Sequence, residues 1–189
     1  MNLSTLTDPE LHARTVDLAR REQAMTLDVI AHLEEVTRRR LFAARGYRSP
    51  FEYCVKALGY SEPCAAQRVA AMRLQRDVPE AREALRTGTL SLTTAATVQR
   101  FIQREEKRTG APLGSAEKGT LVQACSGLPT REVERKLAAE SPAAARPERL
   151  RPIAPGVTEV RFPADDALVR LIARARDVRG GSTAEVLRW

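Results

Sequence analysis

From Glu10 to Arg45 the chain runs for 36 residues without a glycine or a proline, and no other feature narrows its fold as much. Thr7-Asp8-Pro9-Glu10 in front of this run offers a capping residue with proline in the first turn, and Gly46 behind it offers the stop. The pattern predicts one long helix from Thr7 or Asp8 to about Ala44. Its apolar stripe, Leu11, Leu18, Met25, Val29, Leu33 and Val36, keeps near-heptad spacing. Such a stripe serves either as the seam of an antiparallel bundle or, at this length, as a coiled coil joining two copies of the chain. His32 flanks the stripe and reads as a packed or partly exposed histidine. Arg38-Arg39-Arg40 would close the helix, where cations complement the negative end of the dipole and can equally meet phosphate.

Shorter helices follow, each with its own punctuation. Ser49-Pro50-Phe51-Glu52 is a capping box opening a helix that Gly59 stops. Tyr60-Ser61-Glu62-Pro63 starts a helix to about Arg76, Val78-Pro79-Glu80 another to Gly88, and Thr89-Leu90-Ser91 caps one from about Leu92 to Lys107. Ser115–Cys125 and Thr130–Ala139 are two more, separated by Gly127-Leu128-Pro129. Composition agrees, because 29 alanines against 8 aromatic residues favour close-packed helices over wide aromatic pockets.

Residues 141–156, SPAAARPERLRPIAPG, read as an extended proline- and arginine-rich linker. Val157 to Phe162 then alternates with period two as the one convincing strand, ended by Pro163. A helix follows over about 165–178, and Gly180-Gly181-Ser182-Thr183 caps a last one reaching Trp189, as though the chain stops in mid-element. The expected fold is mainly α: a multi-helix bundle over 1–140, the linker, and a small strand-helix module over 157–189. A lone strand demands a partner, which could be another subunit or sequence further downstream.

The inventory argues against catalysis. Cys54, Cys64 and Cys125 form no C-x-x-C pair, His12 and His32 are the only histidines, and Asn2 is the only asparagine. No phosphate-binding glycine loop, zinc-protease helix or serine elbow is present. Neither a metal nor a cofactor site, nor a catalytic residue, is expected. No apolar run reaches bilayer-crossing length and no signal peptide is visible, so a cytoplasmic location without membrane contact is expected.

Charge points elsewhere. The net charge is +7, and 27 of the 31 cations are arginine, whose fork suits phosphate and guanine edges. The excess concentrates in 46–109, which carries 11 cations and 7 anions. There, the helix from Ser49, the turn at Gly59-Tyr60 and the helix to Arg76 have the layout of a helix-turn-helix. Its second helix would offer Gln67, Arg68, Arg73 and Arg76 to a major groove, although Val69 and Met72 fall among the arginines. Arg38, Arg39, Arg40 and Arg48 would meet backbone phosphates. The strand and the helices after it are laid out like a ribbon-helix-helix unit, with Arg161 on the ribbon. DNA is thus the expected partner, with a homo-oligomer formed through the long first helix or strand 157–162 as a further possibility.

On LTDPELHARTVDLARREQ, on HLEEVTRRRLFAARGYRSPFEYCVKALGYSEPCAAQRVAAMRLQRDVPEAREALRTGTLSLTTAATVQRF and, more weakly, on VTEVRFPADDALVRLIARARDV, the chain resembles the N-terminal region of bacterial HNH endonuclease-like proteins. Residues 61–96 are also similar to part of the DNA-binding region of ParB-like partition proteins, including Gly88-Thr89-Leu90-Ser91. The resemblance implies a helical, DNA-associated module preceding a metal-dependent nuclease domain. That nuclease needs clustered histidines and an asparagine, which this chain does not supply after His32, so any nuclease activity would belong to sequence outside it. The rival expectation is a homodimerising interaction scaffold in which acids are interspersed among the arginines.

Overall fold

The computed structural model describes residues 2–146 and 148–186, in two compact units, Met1–Leu137 and Ala138–Trp189. The chain is mainly helical, with one two-stranded antiparallel sheet near its C-terminal end followed by a helix.

In the first unit a short 3-10 turn, Leu3–Thr5, precedes helix α1, Asp8–Arg38. The Glu10 carboxylate accepts the Thr7 amide at 2.9 Å, which fixes the entry to α1. The helix stops six residues short of the expected end. Arg40 adopts φ 55°, the left-handed region, and Leu41–Ala44 forms a separate turn, α2. A non-glycine residue there costs about 1–2 kcal/mol, so the break is held by its surroundings rather than by local preference. The bonds that hold it run from the Ala43 amide to the Arg40 carbonyl at 3.0 Å and from the Tyr47 amide to the Phe42 carbonyl at 2.9 Å.

Helices α3 (Pro50–Lys56), α4 (Glu62–Asp77), α5 (Pro79–Thr87) and α6 (Leu92–Thr109) follow, with α7 (Ser115–Cys125) and α8 (Thr130–Glu140) after them. Ser49 caps α3 by accepting the Glu52 amide at 3.1 Å. The return half of the capping box is displaced by one residue, because the Glu52 carboxylate takes the Arg48 amide at 2.7 Å. Gly59, at φ 71°, turns the chain into α4, and the Tyr60 amide closes the turn on the Cys54 carbonyl.

α4 is the axis of this unit. It packs most extensively against α6 and also against α1, α3 and α5. Small residues on both partners, Ala65 and Ala71 on α4 and Ala95 and Ala96 on α6, are buried and let the two backbones approach closely. Ile30, Met72, Leu74, Ile102 and Leu137 fill the rest of the core. By contrast, α1 buries only Ile30 and Leu33. No residue from Asp8 to Met25 is buried, so this stretch forms a largely exposed arm, which touches the bundle where Gln23 lies against Gly88 at the end of α5.

The second unit contains the short helix α9 (Pro142–Ala145), strands β1 (Arg149–Ala154) and β2 (Val157–Arg161), and helices α10 (Asp166–Arg179) and α11 (Thr183–Val186). The stretch read as an extended linker therefore supplies a strand. β1 pairs antiparallel with β2, placing Leu150 opposite Val160 and Arg149 opposite Arg161, with an irregularity between Pro152 and Ala154. The partner that β2 requires is its own preceding segment, so no second subunit is needed to satisfy it. The expected end of the last helix at Trp189 lies outside the described residues.

Candidate nucleic-acid interface

The densest cationic stretch is the junction from the end of α1 to the start of α3. Residues 38–48 hold Arg38, Arg39, Arg40, Arg45 and Arg48 and no acid. The left-handed turn at Arg40 folds the stretch into a short excursion rather than a helix extension, so its five arginines all lie on one short connection between α1 and α3. Tyr47 packs edge-on to Tyr53 of α3, with ring centroids 5.5 Å apart at 71°, and anchors the return of the loop.

Within this group the charges are not equivalent. Glu35 binds Arg38 through both oxygens, at 2.7 and 2.6 Å, and also accepts from Arg39. These hydrogen bonds, with Arg38's first and Arg39's second, hold the Glu35 carboxyl down to about 2. Arg38 is correspondingly raised by the same bond. Arg40, Arg45 and Arg48 are exposed, and among the described residues none of their side chains has a carboxylate in ion-pair contact. Glu52, the nearest acid along the chain, is engaged by Lys56 at 2.6 Å and by the Arg48 amide.

The residues expected on the second helix of the hairpin fare differently. Arg68 turns inward: its guanidinium carbon lies 4.2 Å from the centre of the Tyr60 ring, its Nη1 donates to the Cys64 carbonyl at 3.3 Å, and its Nε is buried without a hydrogen-bond partner. Gln67 reaches Thr93 Oγ1 at 3.5 Å, the limit of a hydrogen bond. Arg76 is exposed but pairs with Asp77 at 2.8 Å. Arg73 is half-buried, and among the described residues its side chain has no ion-pair partner. A helix packed against α1, α3, α5 and α6 presents only a narrow strip, so α4 offers little to lay into a groove.

The structure brings part of the expected set together. Thr37 Oγ1 contacts Met72 Sδ at 3.4 Å, which sets the segment of α4 bearing Arg73 and Arg76 beside the end of α1. Glu34, one turn earlier on α1, accepts from buried Gln75 and from Arg82, each at 3.0 Å. Arg161 belongs to the other unit, where it sits 3.7 Å from Glu159 at the end of β2. Arg45 was missed by the sequence reading, although the acid-free run that contains it is plain in the sequence.

Known proteins offer no guide. No family model, curated protein or solved structure matches this chain. Among the described residues, no three histidine, cysteine, aspartate or glutamate side chains are placed to hold a metal ion, and no helix is long and apolar enough to cross a membrane. His32 directs Nδ1 to the Asp28 carbonyl at 2.7 Å.

Proposed function

We propose that this chain is a non-catalytic DNA-positioning module that grips the phosphate backbone through the arginine-rich junction between α1 and α3. The observation that carries this reading is the acid-free run from Arg38 to Arg48, with Arg40, Arg45 and Arg48 exposed and, among the described residues, in no ion pair. Guanidinium groups gathered in this way release counterions from DNA without reading its sequence. The burial of α4 favours backbone contact over base recognition, so the helix after Gly59 acts as a support for the junction. The resemblance to HNH endonuclease-like proteins fits the same role: an N-terminal module of this kind would hold DNA for a nuclease domain located elsewhere.

A second reading has its own observation. Arg38, Arg39, Arg76 and Arg161 each lie beside a carboxylate, the interspersed pattern of an interaction scaffold whose partners are proteins. Fluorescence anisotropy of a labelled random-sequence duplex, titrated with the full chain at increasing salt, separates the two. Binding that weakens steeply with salt supports the DNA module, and no binding at low salt refutes it.

A further inference from the structure

The hairpin of the second unit is two-sided. In the register of β1 against β2, Arg149 stands opposite Arg161 and Arg151 opposite Glu159, and residues paired across an antiparallel ladder share a face. Leu150 with Val160 and Pro152 with Thr158 take the other face. One side of the ribbon therefore carries three arginines and one acid, and the opposite side is largely apolar. All three arginines are exposed. Glu159 lies 3.7 Å from Arg161 and also stands opposite Arg151, so one carboxylate answers to three guanidinium groups. Among the described residues, Arg149 and Arg151 are in no ion pair. Directly opposed residues have Cβ atoms about 4.5–5.5 Å apart, where like charges weaken the strand pairing. Of the residues paired on this face, only Glu159 offsets the opposition of Arg149 to Arg161.

We propose that this face of the hairpin is a second DNA-contacting surface, on which Arg149, Arg151 and Arg161 take phosphates of a duplex. The proposal rests on the reading of the chain as a DNA-positioning module and adds to it a contact made by the other unit. Charge complementarity selects the occupant. Three cations against one anion leave the face at +2, and a polyanion laid on it relieves the repulsion that the register builds in. The shape agrees, because a two-stranded ribbon is narrow enough for a DNA groove about 12 Å wide. The apolar residues on the reverse side fix which side of the ribbon meets the duplex. Contacts of this kind position the DNA without reading its sequence.

The test is anisotropy of a labelled random-sequence duplex with the full chain, from about 50 to about 200 mM salt. Each phosphate contact contributes about 0.9 to the salt slope, and the hairpin's share adds to that of the junction. Arg149→Gln with Arg151→Gln removes two contacts, so the slope should become shallower by about 1.8 and the loss of affinity over that range roughly 12-fold smaller than for the wild-type chain. Circular dichroism should not change, since both side chains are exposed. Glu159→Gln should act in the opposite sense and steepen the slope, because Arg161 then answers to phosphate alone. Arg20→Gln with Arg131→Gln removes two exposed cations outside the hairpin and should leave the slope as in the wild type. A wild-type chain that binds no duplex at low salt overturns this proposal together with the reading of the junction. Binding that is flattened by Arg40→Gln, Arg45→Gln and Arg48→Gln but not by Arg149→Gln with Arg151→Gln overturns the hairpin surface alone. Equal flattening by the Arg20 and Arg131 variant reduces the effect to net charge and overturns it as well, as does tighter binding to phosphatidylserine vesicles than to the duplex.

Discussion

Glu35→Gln is the sharpest perturbation of the arginine-rich junction, because Glu35 holds two of its five cations. With Arg38 and Arg39 engaged, Arg40, Arg45 and Arg48 remain for phosphate. Each neutralised phosphate contributes about −0.9 to the slope of log affinity against log salt, so three contacts give about −2.7, roughly a 40-fold loss between about 50 and 200 mM. Replacing the carboxylate with an amide frees Arg38 and Arg39, and five contacts give about −4.5, roughly a 500-fold loss over the same range. The variant should bind more tightly at low salt and fall off more steeply, while the fold is barely affected because the acid and both arginines are solvated. The assay is duplex anisotropy at matched pH for both proteins. The linkage has a definite sign: a carboxyl held at about 2 in the fold stays charged down through pH 5. The stability its pairs supply is complete above the ordinary carboxylate range and is lost as pH falls toward 2. Identical salt slopes for the two proteins, or no salt dependence at all, would refute the assignment of these arginines to phosphate.

Three further outcomes test the fold and its thiols. Leu74→Ala, at a position with no exposed surface, should lower the urea unfolding free energy by about 2–5 kcal/mol, and a smaller loss would show that α4 is not the centre of the core. Tyr60→Leu removes the ring under Arg68 and should cost about 0.5–2 kcal/mol while leaving the salt slope for DNA unchanged, since Arg68 points inward. Burial pushes the Cys54 thiol up, partly countered by the charge of Arg68, so half-buried Cys64 should react first with a disulfide reagent, with buried Cys54 and Cys125 following only on unfolding. The same shift means that stability falls as pH rises through about 8.5, where the unfolded thiol ionises.

Much of the helical layout is legible because capping chemistry is local. Ser49, Ser91 and Asp165 each accept the amide three residues on, as their positions before α3, α6 and α10 imply. Gly59, Gly88 and Gly110 all take positive φ at the ends of the hairpin turn, α5 and α6. The break at Arg40 is not legible, because arginine has no preference for the left-handed region and only the packing of the following turn selects it. β1 was obscured by Pro152, which argues against a strand unless it sits at an edge or beside an irregularity, as it does here. The candidate site divides along the same line. The acid-free run at 38–48 can be read in one dimension, whereas the inward turn of Arg68 depends on where Tyr60 lies. The sequence had already placed Val69 and Met72 among the arginines of the second helix, and both prove to be buried.

Because α4 leans on four neighbours at once, the helix-turn-helix-like hairpin is not a portable part. A peptide spanning residues 49–77 would carry Ala65, Met72 and Leu74 stripped of the surfaces that cover them. In larger assemblies such a hairpin cannot be transplanted or exchanged on its own. The folding unit is the whole first bundle, and substitutions that leave it intact are confined to the rim: the α1 arm, the arginine-rich junction and the narrow outer strip of α4.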